Sequence, residues 1–134
     1  MNLFLKQFGL TPVQRIGFEQ FIFAQADKMV EGYGGGKWSA TKIGGVYMLV
    51  LPVSEKTVTL NNYAFGGGID ADQYTASAAF TSVVVNWFWH LRAEQGRLTD
   101  AQHEAFDTFS RKLRDAVYSD GSKVNTSDFF QFTD

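Results

Sequence analysis

From Thr11 onward the apolar positions Val13, Ile16, Ile22, Ala26, Met29 and Val30 recur mostly at intervals of three and four. That spacing lines one face of an α-helix. Thr11 offers a hydroxyl cap, Pro12 takes the first helical position, and Gln14 stands where a capping box needs it. Phe18, Phe21 and Phe23 widen the face, so the pattern predicts a helix over 12–31, buried around much of its circumference. Gly32 closes it.

The period then changes. Lys37–Lys42 reads as a strand, Ile43-Gly44-Gly45 as a hairpin turn, and Val46–Leu51 as a second strand ended by Pro52. Six consecutive apolar residues in that second strand predict a central position covered on both faces. In Lys56–Tyr63, Val58 and Leu60 alternate with Thr57, Thr59 and Asn61, the mark of a strand with one wet face. After Gly66-Gly67-Gly68, the run Asp70-Ala71-Asp72-Gln73 supplies a cap at Asp70, with Gln73 three residues on, for a helix over 71–93, with Ala76, Ala79, Val83, Trp87 and Leu91 as its stripe. Gly96 stops it. Thr99-Asp100-Ala101-Gln102 starts a last helix over 100–118, whose stripe is Ala105, Phe106, Phe109, Leu113, Ala116 and Val117. Its acids come early and its bases late, as the helix dipole prefers. The expectation is one α+β domain over 1–134. It has an antiparallel sheet of three or more strands, Val46–Leu51 central, against three main helices, and a Phe-rich tail over 121–134.

Composition narrows the classes. With 134 residues and 45% apolar content the chain fills the core of one domain, and with no Cys it uses no disulfide. Its first ten residues lack the pattern of a secretory signal, and its longest apolar run is far short of a membrane span. A soluble cytoplasmic protein with no membrane partner is the expectation. A net charge of -2 from 12 basic and 14 acidic residues argues against strong nucleic-acid binding, and equally against mimicry of DNA.

Chemistry-bearing residues are sparse. The triplets Gly34-Gly35-Gly36 and Gly66-Gly67-Gly68 lack the Lys-Ser/Thr of a phosphate loop and read as turns and bulges. His90 is expected at a boundary and His103 in water. Asp70 with Asp72 read as cap and first-turn residues, and Glu104 with Asp107 as solvated helix face. Ser39, Ser77 and Ser82 lack the setting of an exposed nucleophile. No catalytic residue, cofactor or metal is therefore expected. The competing class is a small hydrolase or nucleotide-binding enzyme built on the Gly-rich turns, with Asp70 or Asp72 converging on His90. Tyr33, Trp38 and Tyr47 form either a recognition patch or the packing between sheet and helices. Trp87 and Trp89 cannot share a helix face, so one belongs to the core and the other meets a partner or the tail. Phe129, Phe130 and Phe132 either dock within the chain, make a homodimer contact, or insert into a neighbour as part of a structural subunit.

The segment Tyr33…Gly35…Trp38…Gly44-Gly45-Val46-Tyr47-Met48…Pro52 resembles the signature region of the antirestriction family that includes the plasmid protein KlcA and its relative ArdB. Members show a tyrosine, a Gly-Gly pair, a tryptophan, a short variable stretch, and then G-G/F-Y-M-x-P. The spacing from Trp38 to Tyr47-Met48 is kept, while two additional residues precede Pro52. Tyr74-Thr75-Ala76-Ser77-Ala78-Ala79 stands in for a small-residue helix start, and Phe109…Leu113-Arg114-Asp115-Ala116 for the pattern of the last helix. The resemblance runs from Phe18 to Ser119 and leaves the tail without a counterpart. It implies a small α+β fold carried by plasmids, phages or genomic islands, which relieves type I restriction with no identified enzymatic site. Its implied partners are components of the host restriction system or associated host proteins, met as a monomer or homodimer.

Overall fold

The computed structural model describes residues 1–64 and 67–134. Gly66 of the second glycine triplet lies outside them. In chain order the elements are α1 (Asn2–Leu5), a 3-10 turn (Lys6–Phe8), α2 (Pro12–Met29), β1 (Ser39–Ile43), β2 (Val46–Val50), β3 (Thr57–Asn62), β4 (Gly67–Asp72), α3 (Gln73–Glu94), α4 (Asp100–Val117) and α5 (Thr126–Thr133). The fold is α+β.

The strands form two antiparallel two-stranded sheets, β1–β2 and β3–β4, rather than one sheet of three or more. Val46–Leu51 is thus not flanked by strands on both sides. The reason lies on its second edge. Tyr47 donates its N–H to Gln7 Oε1 at 2.8 Å, and its carbonyl accepts from Gln7 Nε2 at 2.8 Å. Leu49 N–H donates to Thr81 Oγ1 and Leu51 N–H to Ser77 Oγ, each at 3.1 Å. The Leu51 carbonyl accepts from Gln73 Nε2 at 2.9 Å. Helix side chains occupy the slot of a third strand and satisfy its backbone groups. Both faces of β2 are nonetheless covered: Met48 and Leu49 point opposite ways and both are fully buried.

β3 pairs instead with β4, which falls where the sequence suggested a glycine turn and the start of a helix. Ile69 and Ala71 are buried while Gly68, Asp70 and Asp72 are exposed, the alternation of a half-wet strand. A side chain at Gly68 would begin 2.7 Å from the Leu60 carbonyl, so only glycine lets the two backbones pair here. Asp72 then caps α3 by accepting from Thr75 N–H at 3.0 Å.

α2 carries the full capping box between Thr11 and Gln14, but its buried face is rotated from the expected stripe. Phe18, Ile22, Ala26 and Met29 are fully buried, whereas Val13 and Ile16 are 78% and 62% exposed. Phe18 stacks on Phe88 at 4.2 Å. Five residues at about 100° each place Val13 about 140° away from Phe18. Burying the larger ring turns the two aliphatic residues out. The N-terminal residues also pack: Phe4 and Phe8 join Phe18, Phe88, Phe106 and Phe109 in one ring cluster. At the other end, Asn125 caps α5 by accepting from Asp128 N–H. Phe129 and Phe132 are buried within the same chain, while Phe130 is exposed. No helix among the described residues is long and apolar enough to cross a membrane.

Candidate functional site

The residues from Tyr33 to Pro52 fold as one unit around the β1–β2 hairpin. Trp38 is buried, with ring centroids 5.8 Å from Phe80 and 6.3 Å from Phe23. Its indole N–H donates to the Tyr33 hydroxyl at 3.2 Å. Tyr33 is half-buried, and the two rings lie 5.8 Å apart. Pro52 packs over Gly36, closing the base of the hairpin. Tyr47, also half-buried, sits elsewhere. It pairs with Lys42, whose ammonium lies 5.8 Å from its ring centre. Lys42 is four residues along the strand from Trp38, about 13 Å. Tyr33 and Trp38 therefore make one contact pair, and Tyr47 belongs to the opposite end of the hairpin.

The hairpin tip is held against α4. Gly44 has φ 58°, and a Cβ there would lie 2.8 Å from the Ala116 Cβ. Both the left-handed conformation and the close approach demand glycine. Gly44→Ala is expected to cost about 1–3 kcal/mol through strain and overpacking, read as a lower midpoint in urea with an unchanged slope.

The other candidates are dispersed. Asp70 on β4 accepts from the Thr59 hydroxyl at 2.6 Å, and Asp72 serves as the α3 cap. His90 is exposed near the far end of α3, 18 residues from Asp72 and so about 27 Å along the helix axis. Asp72 does not converge on His90. The two histidines exchange their expected surroundings. His103 is half-buried and its Nδ1 accepts from Trp89 Nε1 at 3.0 Å, while His90 is the exposed one and stacks beside Trp89. Neither Trp87 nor Trp89 is fully buried: Trp87 meets Tyr63 edge-on, and Trp89 stacks on Phe106. Glu104 is exposed, and Asp107 pairs with Arg111 at 3.0 Å in solvent. Among the described residues no three His, Asp or Glu side chains gather at metal-binding distance.

Ser77 holds the β2 edge together with Thr81 and Gln7, neither of which carries a motif of its own in the sequence. Their signal was legible in one respect: Ser77 and Thr81 are hydroxyls spaced four apart on α3, so they share one face, and both are buried. Comparison with known proteins yields no matching family model and no matching curated protein.

Proposed function

We propose that this chain is a cytoplasmic antirestriction protein of mobile-element origin. It relieves type I restriction of incoming DNA through contacts with host restriction components or associated proteins, without chemistry of its own. The observation that carries the reading is the Tyr33…Trp38…Gly44-Gly45-Val46-Tyr47-Met48…Pro52 signature. Its residues are also the ones that build the hairpin: Trp38 anchors it in the core, Pro52 covers Gly36, and Gly44 fits against Ala116. Trp38 is too buried to touch a partner, so in this reading it orients Tyr33, whose ring is half-open to solvent. Tyrosine in that setting presents an apolar body at low entropic cost.

The test is the plating of unmodified phage on a strain with an active type I system, with and without this gene. Expression is expected to raise plating, and Tyr33→Ala to abolish the gain while leaving circular dichroism and the melting transition nearly intact. Unchanged plating across type I systems refutes the function for this chain. Joint loss of relief and stability in Tyr33→Ala would make the signature scaffold and place the working surface elsewhere.

A further inference from the structure

The outer edge of β1 is open. The register pairs Ser39 with Val50, Thr41 with Met48 and Ile43 with Val46. Tyr47, Leu49 and Leu51 turn their N–H groups toward Gln7, Thr81 and Ser77. The ladder bonds must therefore join Ser39, Thr41 and Ile43 to the even-numbered residues of β2. Ala40 and Lys42 consequently aim their N–H and C=O groups away from the hairpin. Those groups meet no hydrogen-bond partner among the described residues.

A hollow of about 370 Å³ runs beside this edge, between Thr41–Gly44 on one side and Tyr74, Ala116 and the 119–123 loop on the other. Consecutive strand residues alternate faces, so a hollow touching Thr41, Lys42 and Ile43 in succession lies along the edge. Lys42 and Lys123 line it, with Asp120 as the one carboxylate in its wall. Among the described residues the one ion pair is Arg111–Asp107, so no carboxylate engages Lys42 or Lys123. A second copy suits the edge poorly: antiparallel pairing of β1 with itself about Thr41 sets the two Lys42 residues on one face as diagonal neighbours, roughly 7–8 Å apart.

We propose that the β1 edge is a docking site for an extended, acidic segment of a partner protein, which adds as a third strand to the β1–β2 hairpin. Main-chain bonds at Ala40 and Lys42 supply the register, and Lys42 and Lys123 select carboxylate side chains. The inference goes beyond the antirestriction reading and holds whichever protein supplies the segment.

Fluorescence anisotropy of the purified full chain with a fluorescein-labelled peptide alternating Glu and Val tests it. Saturable binding is expected, weakening as salt rises. Lys42→Glu, a change at an exposed position, should weaken it by roughly tenfold or more. N-methylating alternate amides of the peptide should abolish it with the protein untouched. The proposal is overturned by no saturable binding up to about 1 mM peptide, or by equal binding of the N-methylated peptide. Equal binding of a Lys-Val peptide overturns it too. A dimer of the chain alone in sedimentation, dissociated by Ala40→Pro at the outward-facing edge, would assign the edge to a second copy instead.

Discussion

Phe18→Ala is expected to lower the unfolding free energy by about 3–5 kcal/mol, a large part of the roughly 5–15 kcal/mol a domain of this size holds. Phe18 is fully buried, and its ring faces four others. It stacks on Phe88 at 4.2 Å and lies 5.6 Å from both Phe4 and Phe8 and 6.2 Å from Phe106. These rings come from α1, the 3-10 turn, α3 and α4. Truncation therefore opens a void among several elements, none of which can move in to fill it without losing its other contacts. Chemical denaturation should show the midpoint falling by that loss divided by the slope, with the slope itself unchanged. Ile16→Ala, on the exposed flank of the same helix, should stay within about 0.5 kcal/mol of the native chain. A comparable loss at Ile16 would mean that the buried face of α2 follows the aliphatic stripe after all.

That pair of substitutions marks where sequence reading succeeds and where it stops. Helix caps are local, and Thr11 and Thr99 are each found capping, while the α3 cap is Asp72 rather than Asp70, because Asp70 is taken into β4. The α4 stripe is equally legible, because Phe106, Phe109, Leu113 and Val117 are separated from its charged residues by strict spacing. The rotation of α2 was not legible, since apolar residues surround it and only the packing partner Phe88 selects the buried arc. β4 was hidden for another reason. Two glycines and two aspartates in six positions read as turn and cap, yet the close approach of Gly68 to Leu60 is what lets that strand form. At the candidate site, the Gly-Gly hairpin and its flanking aromatics were visible, but the separation of Tyr47 from Tyr33 and Trp38 depends on strand register. The closed outer edge of β2 depends on side chains 32 and 40 residues away in sequence.

Those side chains carry the second large effect. Thr81→Val with Ser77→Ala is expected to cost about 2–6 kcal/mol, taken as about 1–3 kcal/mol for each buried N–H left without an acceptor. Thr81→Val keeps the volume, so the loss at that position isolates the hydroxyl's hydrogen bonds, from Leu49 N–H and to the Ser77 carbonyl, from any cavity. Both hydroxyls are buried, and neither Leu49 nor Leu51 is exposed enough for water to take over. Gln7→Leu should cost less, because the Gln7 contact with Tyr47 is only partly buried and solvent can replace it. Native-state hydrogen exchange separates this account from general loosening. The amides of Leu49 and Leu51 should lose protection first, while those of Met48 and Val50, turned toward β1, remain protected until the whole domain opens. Uniform loss across residues 46–51 would mean that the hydroxyls only fill space. If the two sets separate, the β2 edge is closed by α3 side chains rather than by a strand. The hairpin can then grow only outward from β1.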